Sequence, residues 1–467
     1  MDPVAAPTPS ASLATLSPLR PTVFPADRVD REAIDEQEAR RDDVARPAGV
    51  LIALLALTLP LASSYALWST PTGADDWLRT VMVAPFDLVL IAITGWCALH
   101  SRLVVELFRA PAVRAVGALY ALVFAISLAT GSSPLGISLG LRLVAGLAVI
   151  ATVGAAMESL GSRRLALGAL ALAGSLQALL GIVQAARGEA FGIELLDYAG
   201  PLYPFASSLA GRGGLTHPYH LAVFLVMAQG ATLLGLRHER AAGRGPWAWL
   251  GALVVIGAGI GVTYTRSGAL GQVALLVCLV LGRRDRRVLL PAAAAIVVGL
   301  AIGAASFGDG WMARADVTTG RDPGASADSN RSERLREAWE LIESAPITGV
   351  GPGRYVEALA ETERIEYLPA HNLVAHQAAE LGVAGGVLTL ALLALLLLRV
   401  WRGGAWTAAI VVPMVPFLLL DAYPYVFATG LAASALWLGL ARSSLTSAAP
   451  GDEATPVAAL DDALAAS

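Results

Sequence analysis

Apolar runs near twenty residues long recur along this 467-residue chain, and they constrain its fold more than any other feature. The hydrocarbon core of a bilayer is about 30 Å thick, so a helix needs about 20 apolar residues to cross it. Inside that core every backbone N–H and C=O must be paired within the protein, which leaves helices and closed barrels as spanning structures. The runs here are continuous rather than alternating, so helices are expected. Charged residues make up 15% of the chain and hydrophobic residues 56%, against about 25% charged in a typical soluble domain. The mean hydropathy is +0.63. The expected fold class is an all-α polytopic membrane protein.

Twelve spans are expected, at about 48–67, 81–99, 113–131, 138–157, 164–185, 216–236, 247–264, 267–282, 288–307, 371–398, 405–421 and 424–441. Arginine placement supports the count. With the N-terminus inside, inside segments carry clusters such as Arg40, Arg41 and Arg46, then Arg163 and Arg164, then Arg237, Arg240 and Arg244, then Arg283, Arg284, Arg286 and Arg287. The short outside loops hold only Arg79, Arg187, Arg212 and Arg266. This is the positive-inside pattern, and one missed span would reverse it downstream. The resulting plan is a disordered cytoplasmic tail over 1–47, spans one to nine over 48–307, and a long extracytoplasmic loop over 308–370. Spans ten to twelve follow over 371–442, with a second disordered cytoplasmic tail over 443–467. Residues 1–46 lack the basic start and apolar core of a cleavable signal. Cys97 and Cys278 both fall in expected spans, so no disulfide framework is inferred.

The long loop is the polar exception. Asn330 and Glu333 suggest a capping box. Leu335, Ala338, Trp339 and Ile342 recur at helical spacing, which predicts an amphipathic helix ended by Pro346. Arg331 and Arg334 share a face near its start, which makes either an anion site or a solvated charged face. Gly349, Gly351 and Gly353 predict a tight turn or a close backbone approach to a ligand. His371 and Asn372 stand where the chain re-enters the membrane, where an imidazole is either a structural hydrogen bonder or a group able to reach a substrate hydroxyl. His376 is read as structural, and Glu380-Leu381-Gly382 lies further along the same helix. His217 and His220 make half a metal site with no third ligand of comparable quality, so no metal is expected. Arg266 sits in a tight outside turn, Tyr264-Thr265-Arg266-Ser267-Gly268. Asp87 and Arg142 lie within expected spans near the outer surface, where charges pair or face a polar cavity. Asp421 is at the outer end of its span. Several arginines and few acids at one level suggest an anionic substrate, and a pyrophosphate fits.

Arg331, Trp339, Pro346 to Gly353, His371-Asn372 and Ala379 to Gly385, taken as a set, resemble the O-antigen ligase and polymerase superfamily. The long loop after the ninth span agrees with it. The resemblance implies a GT-C-like membrane glycosyltransferase that needs no metal ion or other cofactor. Its implied donor is an undecaprenyl-diphosphate-linked glycan. The implied acceptor is the lipid A–core saccharide in the ligase branch, a second lipid-linked unit in the polymerase branch, or a protein hydroxyl in a third. Membrane lipids are implied neighbours, and no nucleic acid is. The implied location is the inner (plasma) membrane, with both termini cytoplasmic and the site facing the periplasm. The implied catalytic residues are His371, Arg266 and Arg212, with Arg331 or Arg334 as the loop arginine. Arg142 and His217 are expected beside the substrate from their place at the same outer level. Tyr219-His220 departs from the Asn-like residue usual in the family's first motif. A small-anion transporter is the alternative of another class, although it would place ionisable groups near mid-membrane. A non-catalytic envelope scaffold would leave the outer arginines unexplained.

Overall fold

A computed structural model describes residues 26–61, 64–69, 80–193, 202–205, 208–282, 285–318, 327–362 and 368–446. The chain divides into Met1–Asp43 and Val44–Ser467, and every expected site residue lies in the second unit. In chain order the elements are α1 (Ala26–Thr58), β1 (Tyr65–Ser69), β2 (Thr80–Val83), α2 (Pro85–Leu99), α3 (Arg102–Val105), α4 (Pro111–Thr130), α5 (Pro134–Ala156) and α6 (Leu160–Arg187). Next come β3 (Tyr203–Phe205), β4 (Ser208–Ala210), α7 (Pro218–Ala241), α8 (Trp247–Gly261), α9 (Arg266–Leu281) and α10 (Arg286–Ser306). The last are α11 (Gly308–Thr318), α12 (Ala327–Ser344), α13 (Tyr355–Ala360), α14 (Leu373–Val411), α15 (Val415–Leu420), α16 (Tyr423–Val426) and α17 (Ala428–Thr446).

The chain is mostly helical, as expected, but two short antiparallel hairpins interrupt it, β1 with β2 and β3 with β4. The first corrects the expected span over 48–67. Helix α1 stops at Thr58, just before Pro60, which cannot donate a backbone hydrogen bond, and the chain then pairs as a strand. Helix α1 also begins at Ala26, inside the stretch expected to be an unstructured tail, and residues 1–25 and 447–467 of the two tails lie outside the described residues. Among the described residues, seven helices are long and apolar enough to cross a membrane: α4, α5, α6, α7, α10, Leu373–Trp401 and Gly403–Leu420. Helix α2 and the helical stretch after it, bent by 90°, make an eighth candidate when joined. Helices α8 and α9 are apolar but shorter, at 15 and 16 residues.

Helix α7 is the axis of the bundle. Its whole apolar window is buried inside the protein. Small residues let its neighbours close on it: a Cβ on Gly174 of α6 would meet Ala228 of α7. Helices α8 and α10 meet along a seam where Gly299 faces the Val254 carbonyl and Gly303 the Ala258 carbonyl. Close backbone approach of this kind drives helix association where lipid offers no hydrophobic gain. Gln229 of α7 and Gln272 of α9 exchange amide hydrogen bonds of 3.1 and 2.9 Å in the interior. The outward surface is greasy, with Leu119, Leu122 and Ile126 of α4 and Val297, Val298 and Ile302 of α10 exposed.

The two ends of the bundle differ. At 1.5 Å per residue the 24 residues of α7 are about 36 Å long. At its C-terminal end Glu239 meets Arg244 at 2.6 Å and Arg164, from the start of α6, at 2.9 Å. Arg163 approaches His238 there at 3.3 Å. Two of the expected arginine clusters, Arg163 with Arg164 and that of Arg244, therefore meet at this end. The starts of α5, α7 and α14 lie at the other.

At that other end α14 is broken. Gly382 has φ 74° and ψ 177°, so the helical ladder stops and restarts there. The loose groups are taken up by the glycine segment that follows α12. Val350 N–H donates to the Ala379 carbonyl at 2.9 Å and Gly351 N–H to the Glu380 carbonyl at 3.0 Å, while Val383 N–H donates to the Pro346 carbonyl at 2.9 Å. Ser127 of α4 donates to the Glu380 carbonyl at 2.8 Å. Of the glycines expected to form a tight turn or to approach a ligand, Gly349 and Gly351 thus approach helix backbone. A Cβ on Gly382 would lie 2.3 Å from the Ile347 carbonyl oxygen, in a backbone region that L side chains rarely adopt. Gly382→Ala is expected to cost about 1–3 kcal/mol. It should lower the detergent melting temperature by several degrees, and an unchanged melt would count against the docked break.

Candidate functional site

A cavity of about 700 Å³ opens at this end of the bundle. Helix starts and turns fixed by polar contacts supply part of its lining. The cations Arg142, Arg266 and Arg331 line it together with His217, His371 and Asp421.

Arg142, on α5, approaches Asp87 Oδ2 at 3.5 Å and donates to the Met82 carbonyl. Asp87 in turn accepts from Ala84 N–H at 2.8 Å, at the start of α2. The expected pair is formed, and it fixes the guanidinium on the cavity wall.

Arg266 opens α9. It is held through Tyr264, the one non-glycine residue among those described with positive φ, at 51°. That ring is fully buried and meets Trp311 of α11 edge-on at 5.8 Å. Trp311 Nε1–H donates to the Gly261 carbonyl at 2.9 Å. Gly310 lies over the Tyr264 ring with no room for a side chain. Part of the long loop therefore clamps the turn that carries Arg266.

The structure separates the two arginines of α12. Arg331 lines the cavity. Arg334 is buried and places Nη1 2.9 Å from both carboxylate oxygens of Glu337, and it is not among the lining residues. The helix begins at Ala327, so Asn330 falls in its first turn rather than at a cap. The buried face is Ala338, Leu341 and Ile342, against Tyr355 and Val356, whereas the expected apolar residues Leu335 and Trp339 are exposed. The salt-bridged Arg334 and Glu337 occupy the side that periodicity alone assigned to apolar groups.

Arg212 is buried and is likewise not among the lining residues. Its backbone N–H donates to Gln184 Oε1 at 3.1 Å, as does Gly213 N–H at 2.9 Å, and Gly214 N–H donates to Gln177 Oε1 at 2.7 Å. Two glutamines of α6 thus fix the Arg-Gly-Gly turn, and Gly214 onward reaches the cavity. His217 lines it while capping α7, its Nδ1 accepting from Tyr219 N–H at 3.0 Å. His220 lines it too, and stacks on Tyr423 at 3.8 Å. The two histidines do different work, and among the described residues no group of three or more His, Cys, Asp or Glu is arranged to hold a metal ion.

His371 Nδ1 lies 3.3 Å from Asp421 Oδ2. The other carboxylate oxygen accepts from Ala422 N–H at 2.7 Å and Tyr423 N–H at 3.1 Å. Asn372 caps α14 through Ala375 N–H at 3.0 Å and donates to the Leu419 carbonyl at 3.0 Å. The histidine and the aspartate are therefore each anchored by backbone before they meet. With Nδ1–H donated to the carboxylate, Nε2 keeps its lone pair for a substrate proton. His376 and Glu380 also line the cavity. Sequence reasoning noticed Asp421 as an acid at a span end but not its partner, fifty residues away in the chain.

The clamp on Arg266 gives a test. Gly310→Ala puts a Cβ about 2.3 Å from the Tyr264 ring, an overlap expected to cost about 1–3 kcal/mol. A lower melting temperature of the purified protein checks it. An unchanged one would mean that α11 does not press on the turn.

Residues 251–390 match the family model described as O-antigen ligase. The match runs from α8 into α14 and takes in Arg266, Arg331, His371 and Glu380, while Arg142, Arg212, His217 and Asp421 lie outside it. No curated protein and no solved structure matches the chain.

Proposed function

The chain belongs to the O-antigen ligase superfamily, and from that premise we propose that it moves a glycan from an undecaprenyl-diphosphate carrier to a saccharide acceptor, the lipid A–core, at the periplasmic face of the inner membrane. The observation that carries this reading is the one cavity that holds three arginines and a carboxylate-bound histidine at the end of an apolar bundle. The proposed topology is twelve crossings with both termini cytoplasmic and the long loop over 308–370 outside. The segregation of Arg163, Arg164 and Arg244 to the opposite end supports it.

In the proposed reaction the acceptor hydroxyl gives its proton to His371 Nε2 as its oxygen bonds to the anomeric carbon of the donor sugar. The bond from that carbon to the diphosphate breaks, and the diphosphate leaves with the electron pair. Asp421 keeps the imidazole in the basic tautomer and stabilises the cation that forms. Arg266 and Arg331 hold the diphosphate, and Arg142 adds a third positive charge to the cavity. Arg212, behind the wall that begins at Gly214, contributes field rather than contact. Guanidiniums fixed before the charge develops stabilise the transition state without reorganising. No step calls for a metal ion or another cofactor.

His371→Ala should lower transfer by about 10²–10⁴-fold with normal membrane abundance. Asp421→Asn should lower it by a smaller factor. Full transfer by His371→Ala in membranes of the deletion strain would end this assignment. Arg266→Lys keeps the charge but loses the planar fork, and the weakened charge-assisted bonds should slow transfer about 10- to 100-fold. Near-wild-type rates would argue against diphosphate binding there. Glycan profiles of the deletion strain separate the branches: full-length polymer on the carrier marks a ligase, and single units mark a polymerase.

A further inference from the structure

The same cavity has a polar wall that the transfer chemistry does not use. Glu380 and His376 lie on α14, both 2% exposed, with His376 Nε2 3.4 Å from Glu380 Oε1. Tyr355 N–H donates to that carboxylate oxygen at 3.3 Å. His376 sits between two rings, Tyr355 at 4.5 Å and Tyr425 edge-on at 5.9 Å. The Tyr425 hydroxyl stands beside Glu380 and Gln377. His376 Nδ1 makes no hydrogen bond to a described residue. Glu380, His376, Tyr355 and Tyr425 all line the cavity.

Ionisable groups inside an apolar helix are costly and rarely idle. Glu380 forms no salt bridge to an arginine among the described residues, and its two contacts are long for a buried carboxylate. A second acid here opposes binding of a second anion. It favours a neutral polyhydroxyl group, whose O–H bonds donate to the carboxylate while the tyrosine rings cover apolar C–H faces. Along α14 the eight residues from Asn372 to Glu380 correspond to about 12 Å. A saccharide with its reacting end at His371 would therefore reach Glu380 further along the cavity.

We propose that Glu380, His376 and Tyr425 form a saccharide subsite that recognises sugar hydroxyls of one of the two glycan substrates. The inference rests on the glycan-transfer reading above and names what that reading leaves open. The competing role for Glu380 is architectural, an acceptor for the first N–H of α13. A glutamine oxygen serves that role equally well, so the two roles separate.

The test uses the purified full-length chain in nanodiscs. The probes are the undecaprenyl-diphosphate-glycan fraction and the lipid A–core fraction extracted from the deletion strain, each titrated against a saturating amount of the other. Wild-type transfer is required first, and its absence would sink the glycan-transfer reading rather than this subsite. With transfer present, Glu380→Gln is expected to keep its melting temperature and raise one half-saturating concentration about tenfold, leaving the other unchanged. A rise for lipid A–core assigns the subsite to the acceptor, and a rise for the carrier-linked glycan assigns it to the donor. Tyr425→Phe, which keeps the ring, should shift the same constant, and it decides the matter if Glu380→Gln does not accumulate. Unchanged constants for both substrates in a folded variant overturn the proposal.

Discussion

The arrangement of the site depends on a broken helix whose loose ends are tied by a glycine segment. Where α14 gives up its ladder at Gly382, the Ala379 and Glu380 carbonyls accept from Val350 and Gly351 instead. In a bilayer an unpaired backbone group costs several kcal/mol, so a break is tolerated only where protein fills it. The filler is the end of the long loop, and the bond from Ser127 brings α4 to the same point. Loop and bundle are thereby locked together at the place where Glu380 faces the cavity, with His371 at the head of the same helix. The loop carries Arg331 and the bundle carries Arg142 and Arg266, so their relative position is a matter of backbone hydrogen bonds rather than of flexible side chains.

Two of the three cations at the cavity are fixed by something other than substrate. Arg142 is held by Asp87 and the Met82 carbonyl, and the Arg266 turn is held by Tyr264 under α11. The base His371 is aimed by a carboxylate that is itself held by two backbone N–H groups. Groups held in advance lose little freedom when a ligand arrives, which is where electrostatic catalysis gains most. Arg334 illustrates the opposite use of the same residue type. Its charge is spent on Glu337 within the protein, and it braces α12 instead of meeting a ligand.

Much of this was legible in the chain. Apolar run length gave the helical class, polar residues inside apolar runs drew attention to Asp87 and Arg142, and an outside turn and a re-entry point drew it to Arg266 and His371, all four of which line one cavity. What failed to show was of two kinds. Periodicity placed Trp339 and Leu335 on the buried face of α12, because it cannot foresee that a paired Arg334 and Glu337 outcompete them for the interior. Pairings over long sequence separations, such as His371 with Asp421 or Val350 with Ala379, leave no local pattern at all. The strand at Tyr65–Ser69 was hidden because an apolar run reads the same whether it continues as helix or folds back.

The burial of α7 bears on how the molecule is made. Among the seven candidate crossings it has the lowest hydropathy, 1.6 against 2.6 for Leu373–Trp401, yet it is the one fully enclosed by protein. Gln229 and Thr232 in its interior find their partners on other turns and other helices, not in lipid. The segment least suited to enter a membrane by itself is therefore the one that the others wrap. Its flanking helices α6 and α8, made immediately before and after it, supply the small-residue surfaces it needs. The innermost helix thus depends on its neighbours in sequence, more than on lipid, for the surfaces that cover it.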